Sequence, residues 1–161
     1  MIAYIISQRC FLTKANFFYF VLFFLFVNYF INIPFFFFTI PENLGDSFPM
    51  EYLNTLDLSI QVLLIIFLGP LIETLLFQYG IIKLLRWIIS DTDKNFYPAV
   101  LLSAVAFGLG HNYNIYYVLF GFLSGLMLAI AFYVAIYRKE PAFLTIFLIH
   151  SIWNSIAFIT N

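Results

Sequence analysis

Four polar side chains stand out in a sequence that is otherwise strongly apolar. Glu73 lies in the middle of one apolar stretch, and His111 ends another. His150 and Asn154 lie four residues apart in a third stretch, so they share one face of a helix. A carboxylate and an imidazole can hold and deprotonate a water molecule, and His and Asn at this spacing can each donate to a tetrahedral oxyanion. Such a set could hydrolyse an amide bond without a covalent nucleophile.

The stretches that carry these residues have the length and composition of membrane spans. Hydrophobic residues make up 64% of the 161-residue chain and charged residues only 9%, against about 25% in ordinary soluble domains. The net charge of -1 gives no indication of a nucleic-acid partner. We predict an all-α, polytopic transmembrane helix bundle of about five spans, surrounded by membrane lipid. The five apolar stretches cover roughly 16–40, 58–82, 96–111, 114–137 and 141–160.

The basic residues indicate how the bundle is oriented. If five spans alternate, all 7 Lys and Arg residues fall on one side of the membrane. The loop over residues 41–57 contains only acidic charges. The positive-inside rule then predicts a multi-pass protein of the cytoplasmic (inner) membrane, with the N-terminus inside and the C-terminus outside. The basic residues are Arg9, Lys14, Lys83, Arg86, Lys94, Arg138 and Lys139, and the acidic residues of the loop are Glu42, Asp46, Glu51 and Asp57.

The position of Glu73 is energetically unfavourable unless the side chain is paired, protonated or in contact with water. It precedes Lys83 by about ten residues, or roughly 15 Å along a helix, which is near mid-bilayer. A charge there costs on the order of 2.5–3.5 kcal/mol. A single intramembrane histidine is often only an interhelical hydrogen bond. Because every such group here can converge with the others, we favour a shared polar site.

Small residues in the fourth stretch have a simpler interpretation. Gly121 and Gly125, with Ser124 beside them, predict close helix packing. Ser124 and His150 also lie on neighbouring spans, as in rhomboid proteases, but the rhomboid Gly-x-Ser-Gly pattern is absent from the sequence. No aspartate lies within a predicted span, which excludes a presenilin-like dyad.

The order of the polar residues resembles that of a known family. Glu73 in a membrane helix, then Phe107-x-x-x-His111, then His150-x-x-x-Asn154 resembles the CPBP intramembrane proteases. These include CAAX prenyl proteases and bacteriocin-processing or immunity proteins. The resemblance implies that Glu73 and His111 activate water and that His150 and Asn154 form the oxyanion hole, with Phe107 in support and no cofactor required.

The resemblance covers the chain from about Gly69 to Ala157. It implies a four-helix core over 58–161, preceded by an N-terminal segment over 1–57 that holds the first span and the acidic outer loop. It also implies an endopeptidase that acts on a peptide or protein substrate, with or without an attached lipid.

The first motif departs from the family pattern at two positions. The family has a second glutamate directly after the catalytic one and an arginine five residues after the first; Thr74 and Gln78 occupy these positions here. Losing one partner of a buried ion pair would strand a charge, whereas losing both leaves neutral groups. We therefore expect Thr74 and Gln78 to form a hydrogen-bonding pair that supports the site.

Three alternatives remain open from the sequence. The departure at Thr74 and Gln78 favours a catalytically impaired member that acts as a bacteriocin immunity or membrane scaffold protein. Glu73, His111 and His150 could together hold a zinc ion, although the His-Glu-x-x-His spacing is absent. The same three residues could relay protons or cations, but five spans without an internal repeat offer little for alternating access.

Overall fold

The described residues form a bundle of five long helices. The computed structural model describes residues 11–37, 52–90 and 92–160, and every regular element within them is helical. This confirms the predicted all-α, polytopic class. Arg9, Glu42, Asp46 and Glu51, used to predict the orientation, lie outside the described residues. A helical turn, Phe11–Lys14, precedes the long helices, which are α1 Phe17–Phe37, α2 Leu58–Ile88, α3 Thr92–Gly110, α4 Ile115–Tyr137 and α5 Ala142–Thr160.

Four of these helices are long and apolar enough to cross a membrane. They are α1, within Phe17–Pro34, and the whole of α2, α4 and α5. Helix α3 has 19 residues, and its first turn carries Asp93 and Lys94, so it is less apolar than the others. It nevertheless packs along α4, which is the most buried of these helices. Large apolar side chains cover the outside of the bundle, as expected of an integral membrane protein.

Glycines allow α3 and α4 to approach closely. A Cβ atom added at Gly108 would lie 2.8 Å from the Val118 carbonyl oxygen, and one added at Gly125 would lie 2.7 Å from the Phe107 Cβ. A Cβ at Gly121 would lie 3.2 Å from the His111 Cβ. Only glycine leaves these contacts undisturbed, so the predicted close packing at Gly121 and Gly125 is confirmed.

Helix α2 is irregular on both sides of Glu73. Its segments Leu63–Leu68 and Thr74–Gly80 are π-helical, with Gly69–Glu73 between them. In the first segment the Gly69 N–H donates to the Leu64 carbonyl, five residues earlier. The next residue, Pro70, has no N–H, so the Ile65 carbonyl is left without the donor that this pattern would supply.

One end of the bundle gathers basic side chains. Arg138, after α4, donates to the Leu12 carbonyl oxygen before α1. Tyr133 Oη donates to Asn95 Oδ1 at 2.9 Å, which ties the end of α4 to the start of α3, and the Arg86 guanidinium lies 5.8 Å from the Tyr133 ring centre. The start of α1, the end of α2, the start of α3 and the end of α4 therefore share one end, as alternating helices require.

Candidate active site

All four predicted catalytic residues line one internal cavity. Glu73 comes from α2, His111 from the end of α3, and His150 and Asn154 from α5; Phe107 of α3 completes this part of the wall. The cavity has a volume of about 80 Å³. A water molecule occupies about 30 Å³ in the liquid, so the cavity can hold at least one. The catalytic roles remain predictions, but the convergence that they require is present.

His150 lies between two neighbouring side chains of α2. Its Nε2 atom is 3.4 Å from Glu73 Oε2, and its Nδ1 atom is 3.4 Å from the Thr74 hydroxyl oxygen. The His150 side chain is 5% exposed and that of Glu73 31% exposed, so the carboxylate retains access to the cavity. The carboxylate is thus within contact distance of His150, the imidazole that the resemblance assigns to the oxyanion hole.

The orientation of His111 is fixed within its own helix. Its Nδ1 atom is 2.8 Å from the Phe107 carbonyl oxygen. A carbonyl can only accept, so Nδ1 carries the hydrogen and the neutral ring has its lone pair on Nε2. The Phe107 ring packs against both imidazoles, with centre-to-centre distances of 4.7 Å to His111 and 5.5 Å to His150. The Phe-x-x-x-His spacing therefore produces an imidazole that can accept a proton.

Asn154 is positioned by the irregularity of α2. Its side-chain Nδ2 donates to the Ile65 carbonyl oxygen at 2.9 Å. This is the carbonyl that the π-helical register and Pro70 leave without a helical donor. A carboxamide carries two N–H groups, so a second one remains for a ligand in the cavity.

The predicted hydrogen bond between Thr74 and Gln78 is wrong. Both residues are fully buried, but the Thr74 hydroxyl faces His150. The Gln78 Nε2 and Oε1 atoms have no hydrogen-bond partner among the described residues. Threonine has a single short polar group, and its direction toward α5 leaves nothing for Gln78 further along α2. Thr74 therefore belongs to the site, and Gln78 is a buried carboxamide beside it.

Two further polar residues line the cavity from helices that the motifs do not include. Asn28 of α1 and Ser124 of α4 both contribute to its wall. Asn32, also in α1, is fully buried and donates to Asn28 Oδ1 at 3.1 Å and to Ser124 Oγ at 3.2 Å. Neither asparagine was predicted, because the first span was identified by its apolar length alone. Their spacing of four, the same as for His150 and Asn154, is the signal that could have identified them.

The alternative sites receive no support from this geometry. Within residues 11–37, 52–90 and 92–160, no three His, Cys, Asp or Glu side chains are arranged to hold a metal ion. Glu73, His111 and His150 line the cavity without forming such a ligand set. The Ser124 hydroxyl is hydrogen-bonded to Asn32, and no bond joins it to His150 in the described part of the chain, so a rhomboid-like pair is not formed.

The described helices thus enclose a cavity lined by a carboxylate, two imidazoles and a carboxamide. The model of the family "Type II CAAX prenyl endopeptidase Rce1-like" matches residues 55–156. This match spans more than half of the chain, so the chain belongs to this family of CAAX-type intramembrane proteases, which confirms the resemblance. No curated protein and no solved structure matches the chain. The family match begins shortly before α2 and leaves α1 outside.

Proposed function

We propose that this protein is an intramembrane endopeptidase that hydrolyses a peptide bond with a water molecule held by Glu73 and His111. One observation carries the proposal: Glu73, His111, His150 and Asn154, from three helices, line the same cavity. Polar groups are unfavourable inside a membrane unless they hydrogen-bond to one another or to a ligand. Convergence around a space large enough for water is therefore the arrangement that water activation requires.

The reaction begins with a water molecule in the cavity. Glu73 takes its proton while the His111 Nε2 lone pair orients it, and the water oxygen attacks the carbonyl carbon of the substrate. The resulting oxyanion accepts hydrogen bonds from the His150 Nε2–H, which turns from Glu73, and from the second N–H of Asn154. The carbon–nitrogen bond then breaks as the proton held by Glu73 passes to the leaving amine. The products are one carboxylic acid and one amine, and no cofactor is consumed.

The substrate in this proposal is a membrane-associated peptide or protein, with or without an attached lipid. Support for the orientation of the bundle in the membrane comes from its basic end, where Arg86 and Arg138 lie. The positive-inside rule places that end in the cytoplasm, with the N-terminus inside and the C-terminus outside the cytoplasmic membrane.

The decisive experiment compares two carboxylate-to-amide variants in proteoliposomes. The Glu73→Gln variant should lose roughly 10²–10⁴-fold in the cleavage rate of internally quenched hydrophobic peptides, the usual contribution of a general base. The control is Asp57→Asn, which makes the same change at an exposed residue before α2 and should cleave like the wild type. Wild-type rates in Glu73→Gln, or an equal loss in both variants, would rule out the proposed role of Glu73.

A second candidate function is that of a catalytically impaired member acting as an immunity or scaffold protein. It is favoured by the replacement of two charged family positions by Thr74 and Gln78, the latter buried without partners in the described structure. If this second function is correct, cells that depend on the protein for bacteriocin resistance should stay resistant when they carry the Glu73→Gln variant. Loss of resistance in that variant would favour the peptidase.

A further inference from the structure

Helix α1 places a hydrogen-bonded triad in the wall of the candidate active site. The triad consists of Asn28, Asn32 and Ser124. Asn28 is 5% exposed, Ser124 is 4% exposed and Asn32 is fully buried. Asn28 and Ser124 line the same cavity as Glu73 and His150, whereas Asn32 lies behind them. The triad joins α1, which lies outside the family match, to α4, which lies within it.

The direction of the hydrogen bonds determines what the triad offers to the cavity. The Asn32 Nδ2 group is the donor in each of its bonds, to the Asn28 carbonyl oxygen at 2.8 Å, to Asn28 Oδ1 at 3.1 Å and to Ser124 Oγ at 3.2 Å. Asn28 and Ser124 therefore use their acceptors on Asn32 and keep their own donors. Among the described residues, neither the Asn28 Nδ2 group nor the Ser124 O–H has an acceptor. The cavity wall thus presents donors.

Packing alone accounts for only part of this arrangement. A hydrogen bond between Asn32 and Ser124 could serve to hold α1 against α4. That role does not require a polar residue at Asn28, because Asn32 could reach Ser124 without it. It also does not explain why the amide of a buried asparagine is left with donors at the edge of a water-sized space, since buried donors are normally satisfied.

We propose that Asn28 and Ser124 form a positioning subsite that binds a backbone carbonyl oxygen of the substrate peptide, with Asn32 orienting both. This inference rests on the proposed peptidase function. The donors select a ligand that accepts hydrogen bonds, and the absence of any charged side chain within the triad selects a neutral acceptor over an anion. A peptide that enters the cavity brings such an acceptor at every residue. The subsite would hold the chain while Glu73 and His111 act on the neighbouring bond.

The test measures peptide binding in a background that does not cleave. The full chain with Glu73→Gln is reconstituted in nanodiscs, and the tightest-binding member of a library of fluorescent hydrophobic decapeptides serves as the probe. Adding Asn28→Ala or Ser124→Ala should each raise the Kd by roughly 3- to 10-fold, the loss of one hydrogen bond. The matched control is Ser103→Ala, because Ser103 is fully buried, has no hydroxyl partner in the described structure and lies outside the cavity. It should leave the Kd unchanged.

A scan of the probe separates positioning from a merely structural role. Each amide of the decapeptide is replaced in turn by an E-alkene, which has no carbonyl oxygen. At one position the replacement should weaken binding to the Glu73→Gln protein but have at least threefold less effect once Asn28→Ala is present, the coupling expected of partners in contact. Equal Kd values in all variants, equal losses at every probe position, or no peptide binding would overturn the inference. A different result would refute the peptidase proposal alone. In that case peptides bind with this coupling, but the wild-type protein cleaves none of them.

Discussion

Glycine at position 125 sets the position of Phe107, and replacing it should lower the cleavage activity much more than the stability of the protein. A Cβ atom at residue 125 would lie 2.7 Å from Phe107 Cβ and 3.0 Å from Phe107 Cγ. Non-bonded carbon atoms prefer separations of about 3.5–4.0 Å. The Gly125→Ala variant must therefore open this contact by about 1 Å. Because the Cβ of Phe107 is attached directly to the backbone, a side-chain rotation cannot relieve the contact, and the backbones of α3 and α4 have to separate.

The expected change in stability is small. Forcing a methyl group into a close-packed contact costs about 1–3 kcal/mol, and the preference of a helix for alanine over glycine offsets about 1 kcal/mol of this. The free energy of unfolding should fall by about 0–2 kcal/mol. The effect on the site should be larger, because Phe107 binds His111 through its carbonyl oxygen and contacts both imidazoles with its ring. A displacement of about 1 Å can lower a catalytic rate by roughly 10²-fold.

The assay is peptide cleavage in proteoliposomes, together with thermal unfolding of the same preparations. The matched control is Gly110→Ala, whose added methyl group would first meet the ring edge of Phe77 at 3.1 Å, a side chain end that can rotate away. Gly125→Ala should lose roughly 10²-fold in kcat/KM, and Gly110→Ala should stay within a few-fold of the wild type. Equal activities in the two variants would show that the close approach of α3 and α4 does not position the imidazoles.

Two further predictions concern the residues that replace the charged family positions. Gln78→Met should raise the free energy of unfolding by about 1–3 kcal/mol, because it removes two buried polar atoms that have no partner in the described structure; denaturation in detergent measures this, and a loss of stability would contradict it. Thr74→Val should lower kcat about 3- to 10-fold, because it removes the hydroxyl 3.4 Å from His150 Nδ1. Thr74→Ser should restore the rate, and a Ser variant as slow as the Val variant would refute the role of the hydroxyl.

The lengths of the apolar stretches and the charges between them were sufficient to predict the helices. The ends of the helices were predicted with unequal accuracy. Helix α4 begins at Ile115, one residue later than predicted, because Asn114 caps it by accepting from the Tyr117 N–H at 3.1 Å. Helix α2 continues to Ile88, beyond the predicted end at residue 82. Lys83 and Arg86 end the apolar run without ending the helix, because long basic side chains can reach the membrane surface.

The residues of the site were predictable from the free-energy cost of placing them in a membrane, whereas their contacts were not predictable. Glu73, His111, His150 and Asn154 could be identified because each is unfavourable in a membrane without a partner. The bond from Asn154 to the Ile65 carbonyl depends on the π-helical register of α2, which apolar periodicity does not indicate. Contacts between residues of different helices depend on how the helices pack together. The spacing of residues within one segment does not predict this packing.

Helix α1 is fastened to the bundle at two levels. Near its start, the buried Arg138 guanidinium donates to the Leu12 carbonyl oxygen and pairs with Glu140 at 2.7 Å. Deeper in the bundle, Asn32 bonds to Ser124. Both attachments lead to α4 or to the connection after it, and α1 packs against α4 and α5.

This connectivity determines the order in which the protein can mature during translation. Among the described helices, α1 has its main partners in α4 and α5, which follow it in the chain, so α1 must wait in the bilayer while α2 and α3 are inserted. During that interval Asn28 and Asn32 have only lipid and each other as neighbours, which is unfavourable until Ser124 is available. The cavity can gain its α1 wall once α4 is in place, and His150 and Asn154 arrive with α5, so a nascent chain without α5 cannot present the complete set to a passing peptide.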